Sequence, residues 1–190
     1  MRVIAGTAKG TRLARAPGGV RPVSDRVREG LFSSLGGEVP GARVLDLFAG
    51  TGALGIEALS RGAEAAVFVD RSPKAIRAVR ENLAVTRLGD RATVVRAAVA
   101  RYLDRPASGS VVAPFDLVFV DPPYDLGRPE LDDDLAALAA GPLLARDATV
   151  ALTRGSRSST VVIPLDWMVA KRLAYGDSVV TLFRSRIPPR

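Results

Sequence analysis

"RVLDLFAGTGALGIEALSRG", residues 43–62, changes period in its middle, and that change decides the fold class. Residues 43–47 form a short strand-like run, apolar at Val44, Leu45 and Leu47 with Asp46 among them, the pattern of a buried strand. Residues 52–62 carry apolar positions at helical spacing and stop at Gly62, a helix-closing residue. Between the two lie Gly50, Gly52 and Gly55, a G-x-G-x-x-G loop leading from a strand into a helix. Such glycines make the turn tight and let the backbone approach a ligand.

Working outward, the alternation repeats. AAVFVD (65–70) reads as a second strand, and residues 72–89 as a helix with Ser72 as its cap and Pro73 in its first turn. ATVVRA (92–97) is a third strand and AVARYL (98–103) a short helical run. A connector at 106–114 leads to FDLVFVD (115–121), the fourth strand. ELDDDLAALAAG (130–141) is a helix, ATVALTR (148–154) a fifth strand, and residues 165–184 two strands joined at 175–177. Upstream, Ser24 or Asp25 caps a helix whose inward face carries Val27, Leu31 and Leu35. Residues 2–5 and 11–14, flanking Gly6 and Gly10, predict a small hairpin outside the main domain. The expected division is a basic N-terminal extension over 1–20 and one α/β domain over 21–190. Strands this apolar belong to a mostly parallel sheet covered by helices on both faces, and such sheets bind ligands beyond the carboxyl ends of their strands. Asp46, Asp70 and Asp121 fall at or beside those ends.

Composition removes whole classes of chemistry. The 190 residues include no cysteine and no histidine, which excludes disulfides, thiolate nucleophiles, Cys/His zinc sites, iron–sulfur clusters and histidine triads. The apolar fraction of 47% fits a globular domain, no stretch is long enough to cross a bilayer, and no signal sequence is evident, so a cytoplasmic location is expected. Of the net charge of +7, +5 sits in residues 1–30, where seven basic side chains face only Asp25 and Glu29. That asymmetry favours a nucleic-acid partner over a membrane, since no amphipathic helix accompanies it. A solvated arm is the plain alternative.

Two ligands suit the glycine loop. Asp70 follows Gly50 by twenty residues and can accept hydrogen bonds from both ribose hydroxyls of an adenosine. A dinucleotide would set its pyrophosphate near Asp46, four residues before Gly50, where a negative side chain is badly placed. S-adenosylmethionine, with its cationic amino-acid end, suits Asp46 better. A glycine turn that binds nothing is the remaining possibility.

The segment "VFVDPPYDLG" (118–127) ends a buried strand with an acid, two prolines and an aromatic ring. Proline cannot continue a ladder, and it holds its neighbours with little conformational freedom. Asp121 and the carbonyl of Pro122 are thus two fixed acceptors for the hydrogens of an amine, and Tyr124 a flat face for an unstacked base. The absence of cysteine also excludes the covalent route to cytosine C5, leaving amino-nitrogen transfer.

Together DLFAGTGALG (46–55) and VDPPY (120–124) resemble class I S-adenosylmethionine-dependent amino-methyltransferases. "MRVIAGTAKGTRL", "RPVSDRVREGLFSSL", "LDLFAGTGALGIEALSRGA" and "YGDSVVTLFR" are similar to the bacterial family that methylates N2 of a guanine in 16S rRNA. The resemblance spans nearly the whole chain. It implies a Rossmann-like seven-stranded sheet with one antiparallel strand, a short N-terminal β-hairpin used on RNA, and a substrate presented on an assembling small ribosomal subunit. It implies S-adenosylmethionine held by Asp46, Phe48, Gly50, Thr51, Gly52, Gly55, Asp70 and Val99, with Asp121, Pro122 and Tyr124 at the transfer site. Arg2, Lys9, Arg12, Arg15 and Arg21 are the expected phosphate contacts. One departure stands out: Ala98 occupies the place where relatives often carry an acid for the adenine amine, so that contact falls to backbone near Val99.

Rival readings are a DNA amino-methyltransferase acting on adenine N6 or cytosine N4, a non-catalytic rRNA-binding assembly factor and, more remotely, a nicotinamide enzyme. A monomer with no membrane or metal partner is expected, with DNA as a secondary substrate. The run Asp132-Asp133-Asp134 is read as helix-dipole compensation rather than a metal site, Trp167 as packing, and Arg154, Arg157, Arg184 and Arg186 as a solvated surface as readily as RNA contacts.

Overall fold

The computed structural model describes residues 1–14, 24–104 and 114–185. Seven strands form one sheet: β1 (Arg43–Leu47), β2 (Ala65–Asp70), β3 (Ala92–Arg96), β4 (Phe115–Val120), β5 (Leu144–Gly155), β6 (Trp167–Tyr175) and β7 (Ser178–Ser185). Their order is β3-β2-β1-β4-β5-β7-β6, and β7 alone runs against its neighbours. The helices are α1 (Asp25–Leu35), α2 (Ala53–Ser60), α3 (Pro73–Thr86), α4 (Val99–Leu103) and α5 (Arg128–Ala140).

Alternation along the central strands builds two cores. Leu117 and Phe119 of β4 enter one core with Leu31 of α1, Ile56 of α2 and Val79 of α3. Val118 and Val120 enter the other with Leu103 of α4 and Leu131 and Leu135 of α5. Period 2 in a strand sends successive side chains to opposite faces, so a strand apolar at every position requires helices on both. Trp167 belongs to the second core and packs against Phe183 with ring centroids 5.7 Å apart.

Local signals act where the sequence places them. Ser24 caps α1 by accepting from Val27 N, and Ser72 caps α3 by accepting from Ala75 N, with Pro73 in the first turn. Boundaries differ from expectation at several elements. α3 stops at Thr86 rather than at Gly89, because Arg87 takes a left-handed φ of 57° and closes the helix early. α5 begins at Arg128, two residues ahead of Glu130, with Pro129 in its first turn. β5 begins at Leu144, ahead of a register break between Phe115 and Leu117 of β4, with Asp147 at φ 59°.

The N-terminal segment corrects a further expectation. Arg2 and Arg12 do pair in an antiparallel bridge, but the turn is docked on the domain rather than lying outside it. Val3, Ala8 and Leu13 are buried in the same core as α1 and α2. Every residue of α2 is buried, including Glu57 and Ser60. Those two polar side chains are the docking points: Glu57 accepts from Ile4 N at 2.8 Å and Ala5 N at 3.0 Å, and Ser60 Oγ accepts from Ala8 N at 2.9 Å. Arg15, Arg21 and Arg186, the expected boundary at residue 20, and most of the 106–114 connector lie outside the described residues.

Candidate active site

Beyond the carboxyl ends of β1, β2, β4 and β5 the sheet opens into a cleft of about 610 Å³. Asp46, Phe48, Gly50, Thr51, Asp70, Val99, Asp121, Pro122 and Tyr124, all singled out in the sequence, line it together. They come from loops 75 residues apart in the chain (121 − 46), joined because β1 and β4 are neighbours, with Leu47 opposite Val120.

The loop after β1 is held by its own acids. Gly50 N donates to Asp70 Oδ2 at 2.9 Å and Ser72 N donates to Asp70 Oδ1 at 2.8 Å. Asp70 is thereby fixed across the strand ends, and each oxygen retains a lone pair toward the cleft. Gly55 N donates to Asp46 Oδ2 at 2.9 Å, the first turn of α2 meeting a carboxylate. Gly50 and Gly52 both take positive φ, 55° and 75°. Gly52 and Gly55, expected as ligand contacts, are not among the residues lining the cleft. A Cβ at Gly55 would sit 2.4 Å from Phe68 Cε1, so this glycine exists to seat α2 on β2.

The electrostatics are one-sided. Burial holds the Asp46 carboxyl well above the ordinary carboxylate range, against the Gly55 N–H, and the nearby charges of Asp121 and Asp70 push it further up. Burial alone pushes Asp121 up to about 7. Neither Asp46 nor Asp121 is offset by a neighbouring cation among the described residues, so a positively charged ligand would lower both raised values. Tyr124 stands beside them with 68% of its surface exposed, unusual for a ring at a strand end.

Sequence reasoning missed the far wall. Thr153, Arg154, Gly155, Ser158, Tyr175 and Asp177 line it, and Ser24 reaches in from the cap of α1. These come from the end of β5 and the residues after it, from the end of β6 and its turn into β7, and from the cap of α1, and nothing in those stretches marks them as site residues. Arg154, open in sequence between an RNA contact and a solvated surface, lines the cleft, with Nε buried and without a hydrogen-bond partner among the described residues. The acidic run also divides: Asp132 accepts from Val162 N at 2.8 Å and from Arg128 Nε at 3.1 Å, while buried Asp134 lines the cleft and is pushed up to about 6 by burial and by Glu130 and Asp133. Among the expected phosphate contacts, Arg2, Lys9 and Arg12 are exposed on the docked N-terminal turn and are not part of the cleft lining. Among the described residues no helix is long and apolar enough to cross a membrane, and no three acids group to hold a metal ion.

A seven-stranded sheet with a single reversed strand, a glycine loop after β1 and an acid closing β2 define a Rossmann-like class I methyltransferase fold. The chain belongs to the family of conserved hypothetical protein 95, whose model matches residues 1–184. It is 36% identical to Bacillus subtilis YlbH over 98% of this chain and 100% of that one. It is 31% identical to the ribosomal RNA small subunit methyltransferase D of Escherichia coli, over 97% of this chain and 89% of that one. The solved structure of Escherichia coli yhhF superposes with a TM-score of 0.85 at 31% identity, covering 98% of each chain.

Proposed function

We propose that the protein transfers a methyl group from S-adenosylmethionine to the exocyclic N2 of a guanine in the 16S rRNA of the small ribosomal subunit. The observation that carries this reading is the convergence of Asp46, Asp70, Asp121 and Tyr124 on one cleft at the strand ends. The kinship with the Escherichia coli small-subunit rRNA methyltransferase supports the choice of substrate.

The residues fit the cofactor. Asp46, whose raised value a cation would relieve, faces the ammonium end, Asp70 takes the ribose hydroxyls, and Phe48, Gly50 and Thr51 border the same ligand. Val99 lies at the adenine end, where Ala98 caps α4 without a side-chain hydrogen bond. When bound, S-adenosylmethionine supplies an electrophilic methyl on a sulfonium.

The chain's own residues handle the amine. An exocyclic amine on a base is a weak nucleophile, because its lone pair is delocalised into the ring. Asp121 accepts one amine hydrogen and the Pro122 carbonyl the other, drawing the nitrogen toward a pyramidal geometry and offsetting its developing positive charge. Tyr124 stacks under the extruded base, and the rate then derives chiefly from placement. Arg2, Lys9 and Arg12, with Arg15 and Arg21, contact phosphates and set orientation on an assembling subunit. The enzyme works as a cytoplasmic monomer.

Mass spectrometry of small-subunit rRNA from a deletion strain tests the proposal. One N2-methylguanine should disappear and return with the wild-type gene; an unchanged nucleoside profile defeats the reading.

A further inference from the structure

Asp121 and Tyr124 would serve guanine, adenine and cytosine alike, since each base carries an exocyclic amine. Something else in the cleft must tell the bases apart. The sheet order shows where to look. The glycine loop and Asp70 belong to β1 and β2, on one side of β4; β5 lies on the other. The end of β5 is therefore across Asp121 from the cofactor side, where an acceptor base must lie.

Arg154 occupies that end. It follows Leu152, which pairs with Val120, the residue preceding Asp121. Its side chain lines the cleft, its Nε is buried without a hydrogen-bond partner, and it forms no ion pair among the described residues. Arginine carries a fixed positive fork, and a buried donor left without an acceptor is a cost that a bound acceptor would remove. An adjacent feature gives the cation a purpose. A Cβ at Gly155 would approach Tyr124 Cε1 to 3.3 Å, so the aromatic face lies against the residue next to Arg154. A base stacked on Tyr124 with its amine at Asp121 has another edge within the reach of β5.

Guanine alone offers two adjacent acceptors, O6 and N7, on an edge separate from its amine, and the planar guanidinium fork matches that pair. Adenine presents its own amine beside N7, a donor that the fork repels. We propose that Arg154 is the residue that sets base specificity, by donating to O6 and N7 of the target guanine. This rests on the guanine-N2 reading above.

The test is a chemical double-mutant cycle on small-subunit particles reconstituted with guanine, 2-aminopurine or 7-deazaguanine at the position mapped in the deletion strain. Both analogues keep the 2-amino group; the first lacks O6 and the second N7. Wild type should lose about ten- to a hundredfold in kcat/KM on each analogue. Arg154→Ala should lose a similar factor on guanine and nothing further on the analogues, with S-adenosylmethionine affinity by calorimetry unchanged. Arg154→Met, which keeps an apolar stem without any donor, should behave like the alanine variant and carries the same cycle should that variant fail to fold. Undiminished discrimination in the variants, or one uniform loss on all three particles as a phosphate contact would give, overturns the assignment. Loss of cofactor affinity overturns it too. Failure of wild type to methylate even the guanine particle defeats the underlying function instead, and is distinguishable from every result above.

Discussion

The carboxylate of Glu57 and the guanidinium of Arg28 face each other at 3.6 Å with both side chains fully buried. Around them the N-terminal segment is assembled. Arg28 Nη2 donates to Arg2 O and to Asp25 Oδ1, both at 2.7 Å, while Glu57 takes the amides of Ile4 and Ala5 and pairs with Arg61 at 2.7 Å. One ion pair inside the core thus positions the exposed Arg2, Lys9 and Arg12.

Removing Glu57 would leave buried Arg28 with Asp25 as its remaining ion-pair partner and strip the Ile4 and Ala5 amides of their acceptor. Glu57→Ala should lower stability by about 3–5 kcal/mol, read from the denaturant midpoint. Amide exchange at Ile4 and Ala5 should accelerate beyond the global change. A loss below about 1 kcal/mol would mean that the segment docks by apolar contact alone.

Asp121 should make activity and stability respond oppositely to pH. A protonated carboxyl cannot accept the amine hydrogen, so kcat/KM of wild type should rise with pH around an apparent value near 7, and the rise should vanish in Asp121→Asn along with most turnover. For stability, the folded-state value lies above the ordinary 3.8, so between about pH 4 and 7 the native state holds a proton that the unfolded chain has released. Unliganded wild type should therefore lose stability as pH rises through that window. Asp121→Asn should recover about 2 kcal/mol at pH 8, after discounting the full shift for partial solvation, visible as a Tm higher by roughly 4–8 °C. Equal melting temperatures for the two proteins at pH 8 would contradict this.

Asp70 has two duties, since it orders the glycine loop through Gly50 N and faces the cleft. Asp70→Ala should weaken S-adenosylmethionine binding by about 10- to 100-fold, with a smaller effect on kcat at saturating cofactor. Calorimetry with the cofactor alone decides it. Unchanged affinity would remove Asp70 from the ribose site.

Gly55 should fail for a packing reason and Gly50 for a conformational one. Gly55→Ala forces a methyl against Phe68 Cε1 and should cost about 1–3 kcal/mol of stability while altering cofactor affinity little. Gly50 has open space at its Cβ position but a φ of 55°, so Gly50→Ala should strain the loop by about 1 kcal/mol and act mainly on cofactor binding. The pair is separated by thermal melts read beside calorimetry; matching effects would refute the distinction.

The alternating elements, the caps at Ser24 and Ser72 and the acids at the strand ends were legible in sequence, because each depends on residues a few positions apart. Strand ends at Arg43–Leu47 and Ala65–Asp70 agree with the pattern to the residue. Glu57 was not legible as a docking point: its local partner Arg61 makes an ordinary i,i+4 pair, and the amides it accepts from lie 52 and 53 residues earlier. Gly55 satisfied a ligand-binding motif yet packs against Phe68, since the motif specifies spacing and not which neighbour a missing Cβ would meet.

The same division runs through the cleft. Sequence by itself determined the α/β class, the loop after β1 and the Asp-Pro-Pro-Tyr corner, all written in contiguous residues whose periodicity or backbone restriction acts locally. Only the tertiary structure decided that the corner faces Arg154 and Asp134, and that the basic N-terminus rests on α2. Those relationships arise from strand order and from burial, and both are properties of the packed sheet rather than of any short stretch of chain.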